Sequence, residues 1–163
     1  MKILLSSVFV IIADQISKYW IKENYILSSS QKVIGDIFRI TYVENPGIAF
    51  GIRVGEYLPV ITIFSVFAVF LVLYYLYSER ESDLMIRLGL ALILGGAIGN
   101  MIDRFFIILN PDNYTGVVDF IDIGLGSYRW YIFNIADSAV TIGIILIFLH
   151  SIVSRKNTAS PVV

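Results

Sequence analysis

The chain has 163 residues, 57% of them hydrophobic and 15% charged, with a formal net charge of −1. A soluble domain carries roughly 25% charged residues, so this surplus of apolar surface calls for lipid as its solvent, and the near-neutral charge leaves no basic field for nucleic acid. Cysteine is absent and His150 is the single histidine, which excludes a disulfide, a thiolate nucleophile and a zinc site of several histidines.

Crossing about 30 Å of hydrocarbon takes roughly 20 helical residues, and four stretches qualify: 3–21, 57–77, 84–105 and 130–153. The first opens like a signal peptide, with Lys2 before an apolar run. Asp14, Gln15 and Lys18 interrupt it and no A-x-A pattern follows, so an uncleaved helix is expected. After it, 33–44 alternates polar and apolar and reads as a strand. Asn45-Pro46-Gly47 is a turn signal, with a returning strand expected at 48–52. The second span carries no charged side chain. The third ends with Asn100, Asp103 and Arg104. A further strand is expected at 116–123, and the fourth span opens with Asn134 and Asp137.

The expected architecture is therefore an all-α integral membrane protein with a small β component, a single membrane domain over residues 1–163. Its four-transmembrane-helix bundle is joined by outer loops at 22–56 and 106–129, which hold a small sheet, and ends in a short tail at 154–163. Lys2, Arg80, Arg87, Arg155 and Lys156 concentrate on the side of the short loop. The positive-inside rule then puts both termini in the cytoplasm and the sheet outside. No internal repeat supports an inverted-repeat transporter.

Alternating spans carry the polar residues of helices one, three and four to the same face of the membrane. Charges at that depth cost at least about 2.5–3.5 kcal/mol each, so they are expected to pair inside the bundle. Asp14 and Lys18, four apart, share a helix face; so do Asn100, Asp103 and Arg104. A structural network closed by Gly95, Gly96 and Gly99 accounts for the first pair. Arg104 is expected to pair with a carboxylate and to orient a substrate backbone. Asp137 reads either as a helix N-terminal charge or as chemistry, and Asp119, within Val117-Val118-Asp119-Phe120-Ile121, either as an edge-strand charge or as its partner. Two such carboxylates side by side cannot both ionise, so they share a proton and can hydrolyse an amide without metal or thiol.

Five segments in order carry a resemblance: Asp14-Gln15-Ile16-Ser17-Lys18, Asn45-Pro46-Gly47-Ile48-Ala49-Phe50-Gly51, Gly95 through Arg104, Val117-Val118-Asp119-Phe120, and Phe133-Asn134-Ile135-Ala136-Asp137-Ser138. Together they resemble lipoprotein signal peptidase, the bacterial signal peptidase II family. The resemblance implies a membrane-embedded aspartic endopeptidase that needs no cofactor or metal. It implies removal of the signal peptide from diacylglyceryl-modified prolipoproteins, with cleavage just before the lipidated lipobox cysteine. It implies Asp119 and Asp137 as the catalytic pair and Asn45, Asn100, Arg104 and Asn134 around the substrate, with Asp14, Lys18 and Asp103 supporting the site. It further implies an outward sheet, or cradle, a short extracellular helical segment near 51–57, and a bacterial cytoplasmic membrane location with the active site at the outer face. Expected partners are the diacylated substrate, membrane lipid and cyclic peptide antibiotics as inhibitors, but no nucleic acid; a monomer is expected. The alternatives are a small proton-coupled transporter, a non-catalytic membrane scaffold, and a Ser-Lys peptidase using Ser17 or Ser138 with Lys18. Ser17 fails geometrically, since adjacent helical residues point about 100° apart.

Overall fold

The computed structural model describes residues 2–46 and 57–158. Four helices are long and apolar enough to cross a membrane: α1 (Leu4–Asn24), α2 (Leu58–Ser78), α3 (Leu84–Leu109) and α4 (Ile135–Thr158). Local signals fix their starts. Pro59 stands in the first turn of α2, where its missing N–H leaves no gap in the helix. Asp83 caps α3 by accepting a 2.8 Å hydrogen bond from the Met85 amide. The chain is a multi-pass membrane protein, and the exposed Phe64, Phe67, Phe70 and Tyr74 of α2 are what lipid would cover.

Helix α3 is the hub, packing on α1, α2 and α4. Without a hydrophobic drive between helices in lipid, close approach must come from small residues. A Cβ built on Gly96 would collide with the Ala136 carbonyl oxygen and lie 2.7 Å from Val140 Cγ2. Replacing Gly96 by Val should therefore push α3 from α4. We expect a loss of about 1–3 kcal/mol, typical of overpacking, read as a lower thermal unfolding midpoint in detergent.

The four strands, β1 (Ser30–Ile34), β2 (Phe38–Asn45), β3 (Val117–Leu125) and β4 (Tyr128–Arg129), form one antiparallel sheet in that order. The single strand expected at 33–44 is instead two, folded into a hairpin at Gly35, whose φ of +51° suits glycine. Strand β3 lies inside the sheet, paired with β2 on one side and with β4 and Phe133 on the other. Asp119 pairs with Val43 of β2 and is buried, so it is not a solvated edge-strand charge. The returning strand expected at 48–52 and the helical segment expected near 51–57 fall on 47–56, outside the described residues.

The sheet is seated on the bundle by a buried cluster of Ile21, Tyr42, Val118 and Phe120, with Ile135 packed against it. A polar clamp adds to this. Glu44 Oε1 takes Lys22 Nζ at 2.7 Å and the Tyr42 hydroxyl at 2.6 Å, while Oε2 takes the Thr115 amide at 2.8 Å. Burial alone would raise the Glu44 pKa, but these donors outweigh it and hold the carboxyl at about 2. The clamp therefore stays closed at every physiological pH. It fixes the end of α1, the end of β2 and the entry to β3 together.

Candidate active site

Helix α4 starts at Ile135, five residues later than the hydropathy of 130–153 suggests, because 130–133 is spent on pairing with β3. The Trp130 amide donates to the Ile123 carbonyl at 2.8 Å, and Ile121 and Phe133 exchange bonds of 2.7 and 3.1 Å. Asp137 consequently falls in the first turn. Asn134-Ile135-Ala136-Asp137 closes a reciprocal cap: the Asp137 amide donates to Asn134 Oδ1 at 2.9 Å, and the Asn134 amide donates to Asp137 Oδ2 at 3.3 Å. The helix-terminus reading of Asp137 is thus correct for one oxygen. The other, Oδ1, takes the Asn100 side-chain amide at 2.7 Å.

Asn134 also links the two acids. Fully buried, it donates its side-chain amide to Asp119 Oδ1 at 2.7 Å while its oxygen holds the Asp137 amide. Asp119 is 3% exposed, and its Oδ2 takes Asn45 Nδ2 at 3.1 Å. Among the described residues neither acid joins an ion pair within 4 Å. Burial first, and then the nearby charge of Asp137, push the Asp119 pKa up to about 7, against the hydrogen bonds from Asn45 and Asn134. A carboxyl poised there can hold a proton at neutral pH beside an ionised neighbour.

Both acids line a cavity of about 1130 Å³ between β3, the 128–133 segment and α4, together with Asn45, Asn100 and Arg104. Arg104 interacts electrostatically with Asp137, Asp103 and Asp119. The ion pair expected for it does not form within 4 Å, and its buried Nε has no hydrogen-bond partner among the described residues. Asp103, one residue earlier, projects elsewhere on the helix (100° per residue) and accepts from Lys18.

Asp14, Lys18 and Asp103 stand behind this cavity. Lys18 Nζ lies 2.7 Å from Asp14 Oδ2 and 2.9 Å from Asp103 Oδ2, and donates to Asn100 Oδ1 at 3.0 Å. Gln15 joins them. Its Nε2 reaches Asp14 Oδ2 and Asp103 Oδ1, both at 3.1 Å, and the Gly99 carbonyl at 3.2 Å. Sequence reasoning passed over Gln15 as a site residue; its only signal was a polar side chain beside Asp14 at membrane depth.

Residues 6–153 match the family model described as Signal peptidase (SPase) II. The chain is 38% identical over 157 residues to the lipoprotein signal peptidase of Syntrophus aciditrophicus (strain SB), covering 94% of this chain and 93% of that protein. It is 40% identical over 153 residues to the lipoprotein signal peptidase of Bacillus pumilus (strain SAFR-032), covering 92% of each. A bacterial membrane enzyme solved by the in meso method superposes with a TM-score of 0.78 at 34% identity, over 99% of this chain and 94% of that one. A second such enzyme gives a TM-score of 0.70 at 36% identity, over 91% of each chain. With four membrane-spanning helices, a small antiparallel sheet and a match across nearly its whole length, the chain belongs to the signal peptidase II family of peptidases.

Proposed function

We propose that the peptidase is of the aspartic type, with Asp119 and Asp137 as the catalytic pair. Its substrate is a diacylglyceryl-modified prolipoprotein, cut just before the lipidated cysteine. The observation that carries this reading is the Asn134 side chain, which holds one acid through its amide and the backbone of the other through its oxygen. The cavity that both acids line supports it. Asp137 ionised and Asp119 protonated is the starting state that the raised Asp119 pKa favours. Asp137 then takes a proton from the attacking water while Asp119 protonates the scissile carbonyl; the resulting tetrahedral diol collapses as Asp137 gives its proton to the leaving amine and Asp119 takes one back from a diol hydroxyl, which restores the starting state.

Asn45, Asn100 and Asn134 hold the acids in place, and the buried Arg104 Nε, without a hydrogen-bond partner among the described residues, is available to a substrate carbonyl. Asp14, Lys18 and Asp103 support them from behind. The working enzyme is a monomeric single membrane domain of the bacterial cytoplasmic membrane. Its termini lie in the cytoplasm and its cavity at the outer face, bathed by membrane lipid and open to cyclic peptide antibiotics as inhibitors.

The test is cleavage by purified protein of two lipobox peptides that differ only in the diacylglyceryl group on cysteine. We expect cleavage of the modified peptide alone, read by mass spectrometry as one cut immediately before that cysteine. Equal cleavage of both peptides would remove the lipid from the recognition, and cleavage of neither would remove the substrate assignment.

A further inference from the structure

Lys18 lies in α1, away from the cavity, yet three short contacts lead from its ammonium to both catalytic segments. An ammonium carries three protons, and Lys18 Nζ has three acceptors: Asp14 Oδ2 at 2.7 Å, Asp103 Oδ2 at 2.9 Å and Asn100 Oδ1 at 3.0 Å. Each acceptor reaches, by its other contacts, either an acid of the pair or the residue just before one. Asp14 Oδ1 takes the amide of Ala136 at 2.9 Å, the residue before Asp137. Asp103 Oδ2 takes the amide of Val118 at 3.3 Å, the residue before Asp119. Asn100 donates its amide to Asp137 Oδ1 at 2.7 Å.

The chemistry of the Asn100 amide makes the third link directional. An Asn side chain has one accepting end and one donating end. Lys18 and Asn134 Nδ2 both donate to Asn100 Oδ1, at 3.0 and 3.1 Å. With its oxygen so held, only the NH2 group can face Asp137. A side chain at position 18 with no proton to give would release one of these two constraints and leave two buried carboxylates facing each other.

We infer that Lys18 is a positioning residue for hydrolysis. It fixes where Asp137 and Asp119 stand, through Asn100 on one acid and through the Asp14 and Asp103 carboxylates on the backbone just before each. The assignment rests on the proposed aspartate pair. Lys18 touches neither substrate nor reacting atoms.

The experiment is a double-mutant cycle of Lys18→Met with Asn100→Ser, measured as kcat per folded enzyme on the diacylated peptide. Folded fraction is read by size exclusion and thermal unfolding. Because Lys18→Met unbalances two buried carboxylates, the cycle is repeated in an Asp103→Asn background, where one of them is neutral. Misplacing reacting groups by about 1 Å costs on the order of a hundredfold, so Lys18→Met should lower kcat by about that factor, with KM changed less than about twofold. In the Asn100→Ser background the same substitution should cost several times less than in the wild type, because one of the three links is already broken while those through Asp14 and Asp103 remain.

An equal factor in both backgrounds, or a loss that follows the folded fraction alone, would overturn the inference. So would a failure of Lys18→Met to fold in both the wild-type and the Asp103→Asn backgrounds, since Lys18 would then serve folding and not placement. Asp119→Asn and Asp137→Asn run in the same assay separate the two claims. Normal turnover by either sinks the aspartate pair itself, whereas inactive aspartate variants with an additive cycle sink only the role of Lys18.

Discussion

Asp119→Asn and Asp137→Asn should each lower turnover of the diacylated peptide by on the order of a thousandfold or more, without unfolding the protein. General acid–base groups typically contribute 10²–10⁴-fold, and in a shared-proton pair each acid serves both directions of proton transfer, so removal of either stops the cycle. Asparagine fills the same volume and retains an acceptor oxygen. At position 119 its single oxygen can keep the bond from Asn134 at 2.7 Å, while its NH2 end faces Asn45, whose bond to the second oxygen at 3.1 Å is lost; against that loss, it removes a charge that burial disfavours. The two effects oppose each other, so Asp119→Asn should unfold close to the wild-type temperature. At position 137 the substitution weakens the reciprocal cap with Asn134; loss of a cap costs roughly 0.5–2 kcal/mol, so a lower melting point is expected there. Cleavage followed by mass spectrometry, with thermal unfolding alongside, reads both effects. Turnover within tenfold of the wild type in either variant would remove that acid from the mechanism.

The second large effect is on pH dependence. If Asp119 must enter the reaction protonated, its pKa of about 7 makes the rate fall as pH rises through neutrality, by about tenfold per unit above the limb. The limb belongs to the coupled pair as a whole. Its dependence on Asn45 can be signed: the Asn45 hydrogen bond favours the ionised form of Asp119, so Asn45→Ala should move the alkaline limb upward. A profile flat from pH 6 to pH 9 at saturating substrate would contradict this assignment. Folding is linked to the same proton. The folded-state pKa is raised above the usual 3.8, so the stability this proton contributes is fully present below about 3.8 and is lost as pH rises through about 7. Asp119→Asn should flatten that part of the stability profile.

The membrane architecture was legible because lipid imposes a single length scale, and an apolar run of some 20 residues answers to it. The polar cluster was equally legible, since alternating spans must carry Asp14, Lys18, Asn100, Asp103, Asn134 and Asp137 to one face. What hydropathy could not show was where α4 begins. Trp130, Tyr131, Ile132 and Phe133 are apolar enough to continue the helix, yet backbone pairing of Trp130 and Phe133 with β3 keeps them extended. The signal lay in Asn134-Ile135-Ala136-Asp137, whose spacing is that of a reciprocal cap. In the same way Gly35-Asp36 marked the hairpin that alternation over 33–44 concealed. The partner of Arg104 was not legible for another reason. Helical spacing puts Asp103 and Arg104 near one face, but Lys18 claims Asp103, and among the described residues Arg104 has no ion pair within 4 Å. Which of two adjacent polar residues a neighbouring helix will take is a tertiary fact, and one sequence does not contain it.

The unequal attachment of the helices has a consequence for life in bilayers of different thickness. Helices α1, α3 and α4 are cross-linked by the Asp14, Lys18 and Asp103 contacts, whereas α2 packs chiefly on α3. Hydrophobic mismatch is relieved by tilting, and the helix with fewest attachments tilts first. Helix α2 can therefore lean to match a thicker or thinner membrane while the other three keep their depth and angle, so that changes in lipid chain length reach the outlying helix before they reach the acids.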